Sequence, residues 1–353
     1  MSGLVRPDAT VVVRDPGEAG TVYGRGYFGT SGPDGLALDR FEAVYLAEMA
    51  RLEVADDRGR PVPWPELFRR AGRSDPVFGV RYLVYRDLRQ RGYVVRASPP
   101  PAAFAVLPRG GVLHKTPARF WVEPFSERAP FDLARIFDLA ERAQGAKKAL
   151  LLGVVDEESD LTYYRVRRPQ PSGSLAAPSL PAPAEGLLTE DRVVVFDAGA
   201  TEALGRGLSF GSRIGDRLEL SLLEAGYLLG RGQIVLRDAR TRREVPAERF
   251  EKRARRLDPR YAERLATYRH LRERALVVKT GFKYGAHFRA YPRSPESAHA
   301  RYLVQAVPSD HVGVWPEVAG AVRVAQGVRK EYLLASVGPD GAVRFLSLER
   351  IRP

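Results

Sequence analysis

The chain has 353 residues, 44% hydrophobic and 28% charged, which gives ample material for a core and more length than one ordinary domain uses. Its 56 Lys and Arg against 43 Asp and Glu leave a net charge of +13 and a pI near 10.0, a balance that favours polyanionic partners, above all nucleic acid. With no cysteine, disulfides, thiol nucleophiles and thiolate metal sites are excluded, and the longest apolar run, Ala149 to Val155, falls far short of the ~20 residues a membrane helix needs.

The opening MSGLVRPDATVVV is too short and polar for a secretion signal, and a cytoplasmic protein is expected. Short strand-like pieces follow, with one helix over Leu38 to Leu52. A strand over Ala149 to Val155 leads through the acidic turn Asp156-Glu157-Glu158-Ser159-Asp160 into LTYYRV. The segment Arg167 to Gly186, RRPQPSGSLAAPSLPAPAEG, has no hydrophobic period and the composition of a semi-extended linker. Beyond it a helix is expected over Leu218 to Leu229, then a basic stretch from Arg237 to Arg274 with 14 basic residues against 7 acidic ones. That stretch ends with Tyr261, Leu265, Tyr268 and Leu271 at helical spacing. Strand-like runs Leu276 to Lys279, His287 to Tyr291 and Tyr302 to Val307 precede a helix over Pro316 to Gln326. Strands over Tyr332 to Val337 and Val343 to Leu348 complete the chain.

The two flanks of the linker match each other. Gly24-Arg25-Gly26 corresponds to Gly205-Arg206-Gly207, and Glu42-Ala43-Val44-Tyr45-Leu46 to Glu224-Ala225-Gly226-Tyr227-Leu228. VYRDLRQRGYVVR, from Val84, corresponds to TYRHLRERALVVK, from Thr267, and Ala143-Gln144-Gly145 to Ala325-Gln326-Gly327. All four pairs stand 181 to 183 positions apart, so the chain is a duplication of a whole domain. The expected fold is α/β of the mixed, α+β kind, a tandem duplicated module. Residues 1–166 and 187–353 flank a linker, 167–186. Each copy has a small N-terminal α/β subdomain (about 1–70 and 187–256) and a nuclease-like mixed-sheet C-terminal subdomain (about 75–166 and 257–353).

The second copy contains VVKTGFKYGAHFRAY, HARYLVQAV and VRVAQGVRKEYLLASV in that order. This series resembles the catalytic domain of archaeal tRNA-splicing endonucleases. The first copy resembles the degenerate repeat that fused two-repeat members carry, so the likeness spans nearly the whole chain. The resemblance implies an endoribonuclease that cuts precursor tRNA at introns framed by a bulge-helix-bulge, with no cofactor and no required metal. By motif, the family's Tyr, His and Lys fall on Tyr291, His299 and Lys330, the first two at an interval of eight positions.

Those residue types suit the chemistry. RNA is cut without a metal when its own 2′-OH attacks the adjacent phosphate, leaving a 2′,3′-cyclic phosphate and a 5′-OH. The step needs a base, an acid and a cation for the phosphorane charge. The resemblance assigns Tyr291 as base, His299 as acid and Lys330 as stabiliser. A tyrosine, ordinarily of pKa ~10, serves as base where nearby cations favour its phenolate, and Lys330 is the obvious cation. Of the remaining histidines, His287 is expected on a strand face near the cleft, and His270 and His311 on the surface. None of the five, His114 included, has metal-ligand spacing. The first copy has Leu107 at the Tyr291 position and Pro117 at the His299 position, leaving Lys148 without partners, so it should be inert.

Bulged bases are read by stacking on arginine planes. The resemblance places one jaw of such a clamp at Arg323, and Arg344 is the candidate for the second. The basic stretch Arg237 to Arg274 would hold the phosphate backbone. Two cuts need two live sites, so the resemblance implies a homodimer, docked through the acidic turn of Asp156, Glu157, Glu158 and Asp160. Two other classes compete. A non-catalytic RNA-binding subunit would not retain Tyr291, His299 and Lys330 together. A metal-dependent DNA nuclease would place paired Asp or Glu beside a strand-end lysine, and no such pair stands beside Lys330.

Overall fold

Each half of the chain repeats one local device, a strand that runs into a helix opened by a capping box. In the first half Asp39 accepts from Glu42 N (2.9 Å) while Glu42 accepts from Asp39 N (3.0 Å). In the second, the Ser221 hydroxyl accepts from Glu224 N (3.2 Å) while Glu224 accepts from Ser221 N (2.9 Å). The helix expected from Leu218 therefore begins only at Leu222. Leu218 and Leu220 are buried two apart, the period of a strand, and Ser221 is the cap.

A computed structural model describes residues 1–353, which divide into two units: Met1–Pro130 with Asp138–Val166 and Arg350–Pro353, and Phe131–Phe137 with Arg167–Glu349. The first opens with β1 (Ser2–Val5), β2 (Val11–Val13), α1 (Pro16–Gly24), β3 (Thr30–Gly32), β4 (Gly35–Leu38), α2 (Arg40–Glu48) and β5 (Glu53–Ala55). These strands lie in the order β3-β4-β2-β1-β5. Then come α3 (Trp64–Arg73), α4 (Phe78–Gln90), β6 (Val95–Ala97), β7 (Phe104–Val106), β8 (Phe120–Ser126), β9 (Pro130–Asp132), α5 (Leu133–Gly145), β10 (Ala149–Val155) and β11 (Leu161–Arg167), with β6-β7-β8-β10-β11 as neighbours. Most of β9 and the first turn of α5 belong to the second unit.

The second unit repeats the plan. β12 (Ala184–Leu188), β13 (Arg192–Val195), α6 (Ala198–Thr201), β14 (Ser212–Ile214), β15 (Arg217–Ser221), α7 (Leu222–Gly230) and β16 (Ile234–Asp238) give the order β14-β15-β13-β12-β16. After them stand α8 (Ala247–Leu257), α9 (Tyr261–Glu273), β17 (Val277–Thr280), β18 (Phe288–Tyr291), β19 (Tyr302–Pro308), β20 (Val312–Val314), α10 (Trp315–Gly327), β21 (Glu331–Val337) and β22 (Val343–Ile351), with β17-β18-β19-β21-β22 as neighbours. β19 and β21 are parallel, and α10 is the crossover that such a pair requires. No helix is long and apolar enough to cross a membrane.

Two further parts of the sequence reading change. β12 begins at Ala184, inside the segment expected as linker, and the stretch before it is hydrogen-bonded. Gly173 N donates to Arg274 O (2.9 Å), Ser174 N to Pro292 O (3.0 Å) and Leu175 N to Ala275 O (2.9 Å). The basic stretch also contains a helix of its own, α8, whose apolar contacts are few: Phe250 and Ala254 are buried while its charges face outward.

In both units one arginine of the long helix pins the smaller subdomain. Arg89 lies 3.7 Å over the Phe28 ring and donates to Gly26 O (2.9 Å). Arg272 lies 3.8 Å over the Phe210 ring and donates to Leu208 O (3.1 Å). Beside them, Glu42 pairs with Arg96 at 2.7 Å and Glu224 with Lys279 at 3.8 Å. Buried charge is tolerated because each group meets an opposite charge, a carbonyl or a ring face.

Candidate active site

Strand direction gathers three distant positions. β18 runs antiparallel to β19, with Ala290 opposite Tyr302, and β19 parallel to β21, with Tyr302 opposite Glu331. The last residue of β18 and the first residues of β19 and β21 therefore share one end of the sheet. Tyr291 closes β18, His299 lies just ahead of β19, and Lys330 immediately precedes β21. The backbone is stitched there: Arg301 N donates to Ala290 O (3.0 Å) and Glu331 N to Arg301 O (2.9 Å).

Tyr291 is 7% exposed and packs with Val277 and Ala300. The loop after it is a turn built on Ser294, whose carbonyl accepts from Ser297 N and Ala298 N, both at 3.0 Å, and it delivers His299 exposed beside buried Ala300. Lys330 N donates to Ala325 O (2.8 Å), ending α10, and Arg329 takes the left-handed conformation (φ 55) that turns the chain into β21. The half-buried Lys330 donates through Nζ to Val328 O (3.2 Å), and Nζ lies 5.7 Å from the Tyr284 ring centre.

Two neighbours were missed from sequence. The Arg289 guanidinium lies 5.9 Å from the ring centres of both Tyr284 and Tyr291, and its Nε donates to Thr280 O (2.8 Å). Arg289 is two residues before Tyr291 on a strand, so period-2 alternation alone puts them on one face. Tyr284 had no such signal, because it reaches the site from the turn after β17. A cavity of about 310 Å³ adjoins Lys330, lined in part by Arg167, Arg329, Glu331 and Glu349.

Arg323 is exposed on α10. Arg344 is not brought to the Lys330 end. It stands opposite Ser336, five residues along β21 from Glu331 and so ~17 Å away at the rise of a strand. Its guanidinium lies 4.7 Å from the Phe137 ring centre.

The histidines separate by environment. His287 accepts from Ala306 N through Nδ1 (3.0 Å), and burial, reinforced by the adjacent Arg264 guanidinium, pushes it down to about 4. It is neutral at pH 7 and lacks the imidazolium proton that a general acid gives up. It faces a separate hollow of about 590 Å³ that also holds Arg264, Lys279 and Glu224 but none of Tyr291, His299 and Lys330. His270 and His311 are half-buried, not on the surface as expected, and burial lowers both. The cause for His270 is that α9 turns it inward against Phe345, ring centres 5.5 Å apart. The backbone of His311 is engaged by Leu133 N, which donates to its carbonyl (3.1 Å).

The first unit keeps the backbone and loses the side chains. Arg119 N donates to Val106 O (2.9 Å) and Ala149 N to Arg119 O (3.0 Å), as at the other end of the duplication. Leu107 is buried, Pro117 is exposed, and the Lys148 ammonium is spent on Ala118 O (2.6 Å). The β10–β11 turn is wholly exposed. Asp156 Oδ1 accepts from Glu158 N (3.0 Å) and Asp160 N (2.8 Å), and Glu157 pairs with Arg128 at 2.7 Å. No group of three or more His, Asp or Glu side chains is arranged to hold a metal ion.

Comparison with known proteins agrees with this double arrangement. The tRNA intron endonuclease catalytic C-terminal domain matches residues 78–163 and 261–345, and the tRNA intron endonuclease N-terminal domain matches residues 7–68 and 184–250. The tRNA-splicing endonuclease of Methanosarcina acetivorans is 39% identical over 336 residues, 94% of each chain. That of Methanococcoides burtonii is 36% identical over 335 residues, again 94% of each, and that of Haloferax volcanii 31% over 365 residues, 97% of this chain and 98% of the other. The duplicated fold, the matched domains and these relatives together show that the chain belongs to the tRNA intron endonuclease family and is an endoribonuclease of tRNA splicing.

Proposed function

We propose that the chain cuts precursor tRNA at bulge-helix-bulge junctions by metal-independent in-line attack. Tyr291 takes the 2′-OH proton, the 2′-oxygen bonds to the adjacent phosphorus, and the bond to the 5′-oxygen breaks as His299 protonates it. Lys330 holds the charge that builds on the phosphorane. The products are a 2′,3′-cyclic phosphate and a 5′-OH. The observation that carries this reading is the convergence of Tyr291, His299 and Lys330 at one sheet end through the pairing of β18, β19 and β21. The two carboxylates beside Lys330, Glu331 and Glu349, both face Arg167, at 3.8 and 3.2 Å, which supports reading them as ion-pair partners.

One proton-transferring copy per chain and two cuts per intron call for a homodimer. The acidic turn Asp156–Asp160 is its docking element, seated against a basic cleft of the partner copy. Arg323 stacks on a bulged base from the side of α10. Arg344, at the far end of its own sheet, serves as a second jaw only for a base presented from the other copy. The phosphate backbone lies along the Arg237–Arg274 stretch. Incubation of a bulge-helix-bulge RNA in EDTA, with analysis of the new ends, tests the mechanism. Cyclic phosphate and 5′-OH ends formed at an undiminished rate are expected, and His299→Ala should slow them by about 100- to 10,000-fold at nearly unchanged affinity. A dependence on divalent metal, or 5′-phosphate ends, defeats the reading.

A further inference from the structure

The turn between β17 and β18 holds a phenyl ring in water. Phe282 is 86% exposed, the most open of the large apolar side chains. Nothing in the turn is loose. Gly281 N donates to His287 O (3.0 Å), Tyr284 N to Gly281 O (2.8 Å), Gly285 N to Phe282 O (3.1 Å) and Phe282 N to Thr280 Oγ1 (3.2 Å). Glycine is needed at both ends: a Cβ on Gly281 would stand 2.6 Å from Ala286 O, and Gly285 has φ +66. A tight turn thus fixes an apolar ring where burial within the unit cannot reach it.

The surroundings say what would cover it. Lys283, next in the chain, is exposed, and Tyr284 folds back to lie 5.7 Å from Lys330 Nζ. Phe282 is therefore an apolar face on a turn that also carries Lys283 and that adjoins the Lys330 end of the sheet through Tyr284. The first unit supplies the contrast. Between β6 and β7 it has Ser98-Pro99-Pro100-Pro101-Ala102-Ala103, with neither aromatic ring nor cation, in the same copy that has Leu107 and Pro117. Phe282 and Lys283 are present in the copy that has Tyr291 and His299, and the turn of the other copy has neither an aromatic ring nor a lysine. RNA outside regular helices offers flat unstacked bases joined by anionic phosphates, which matches an exposed ring on a turn that also presents a lysine.

We propose that Phe282 is a stacking platform for an unpaired nucleobase of the RNA, whose neighbouring phosphates lie against Lys283 and Lys330. The proposal rests on reading the Lys330 end of the sheet as the cleavage site. The test uses the full chain with Phe282→Ala, Phe282→Leu and Phe282→Trp. Equilibrium binding of a bulged RNA is measured in a His299→Ala background, which keeps the RNA uncut, beside binding of a fully paired RNA. Loss of affinity for the bulged RNA by about 5- to 150-fold is expected for Ala and Leu, the span of one base stack, with Trp close to Phe and the paired RNA bound equally by all. Leucine binding as tightly as phenylalanine overturns stacking, as does an alanine variant without effect. Sedimentation is run on the same samples. Dissociation of dimers by Phe282→Ala assigns the ring to a second copy of the chain and overturns the proposal. The two readings fail separately. Full cleavage by Lys330→Ala and His299→Ala chains that show the expected Phe282 binding series removes the cleavage site and leaves the platform. Wild-type binding by Phe282→Ala, with cleavage lost in His299→Ala, removes the platform and leaves the site.

Discussion

His287→Asn should flatten the acid limb of the stability profile. The Asn carbonyl oxygen can replace Nδ1 as acceptor for Ala306 N, so the change removes the titrating ring and keeps the hydrogen bond. In the folded chain His287 is pushed down to about 4, against an ordinary value of 6.5. The direction follows from linkage. Above pH 6.5 neither state holds the proton. As pH falls from 6.5 toward 4 the unfolded chain takes up a proton that the folded chain refuses, so stability is lost over that window. The unscreened ceiling is about 3 kcal/mol at ~1.4 kcal/mol per unit, and a half-buried ring that water still reaches should realise about 1–2 kcal/mol. Denaturant midpoints at pH 7.5, 6 and 5 for both proteins check it. Other groups titrate in this range, notably Glu42, which burial and then Asp39 raise to about 7, but they cancel in the difference between the two proteins. Parallel profiles for wild type and His287→Asn would sink the argument. The variant should also leave the pH dependence of cleavage in place, since the ring is already neutral and does not titrate near neutral pH.

Two further outcomes follow from the site. Arg323→Ala should lower cleavage of bulged RNA more than binding of plain duplex, by about 5- to 150-fold for one lost stack; equal losses on both would reduce Arg323 to a phosphate contact. Converting Asp156, Glu157, Glu158 and Asp160 to their amides should give folded monomers with poor activity. Of the four only Glu157 makes an ion pair, with Arg128 outside the turn and both partners exposed, so the fold should survive the change. Light scattering decides it, and a full dimer at nanomolar concentration that cuts at the normal rate would show that the turn is merely solvated.

What could be read without coordinates was chemistry tied to residue type. A leucine and a proline cannot move protons, so the inertness proposed for the first copy rests on Leu107 and Pro117 alone. The duplication showed in four collinear strings, and the helix over α9 in the spacing of Tyr261, Tyr268 and Leu271. Local pattern was ambiguous where it was short. Leu218 to Ser221 fits either period, and only the capping box and burial made it a strand. The depth of His270, His287 and His311 was also hidden, because burial depends on what packs from elsewhere in the chain. Proximity was the larger gap. Lys330 and Arg344 are close in sequence, yet the β21–β22 hairpin carries Arg344 to the far end of the sheet. Tyr291 and Lys330 are much further apart in the chain and share one end, because β19 lies between their strands, antiparallel to one and parallel to the other. Residue identity determines what a side chain can do, and the sequence carries that unaided. Which side chains meet is decided by hydrogen-bond register between strands distant in the chain, and only the folded sheet sets it.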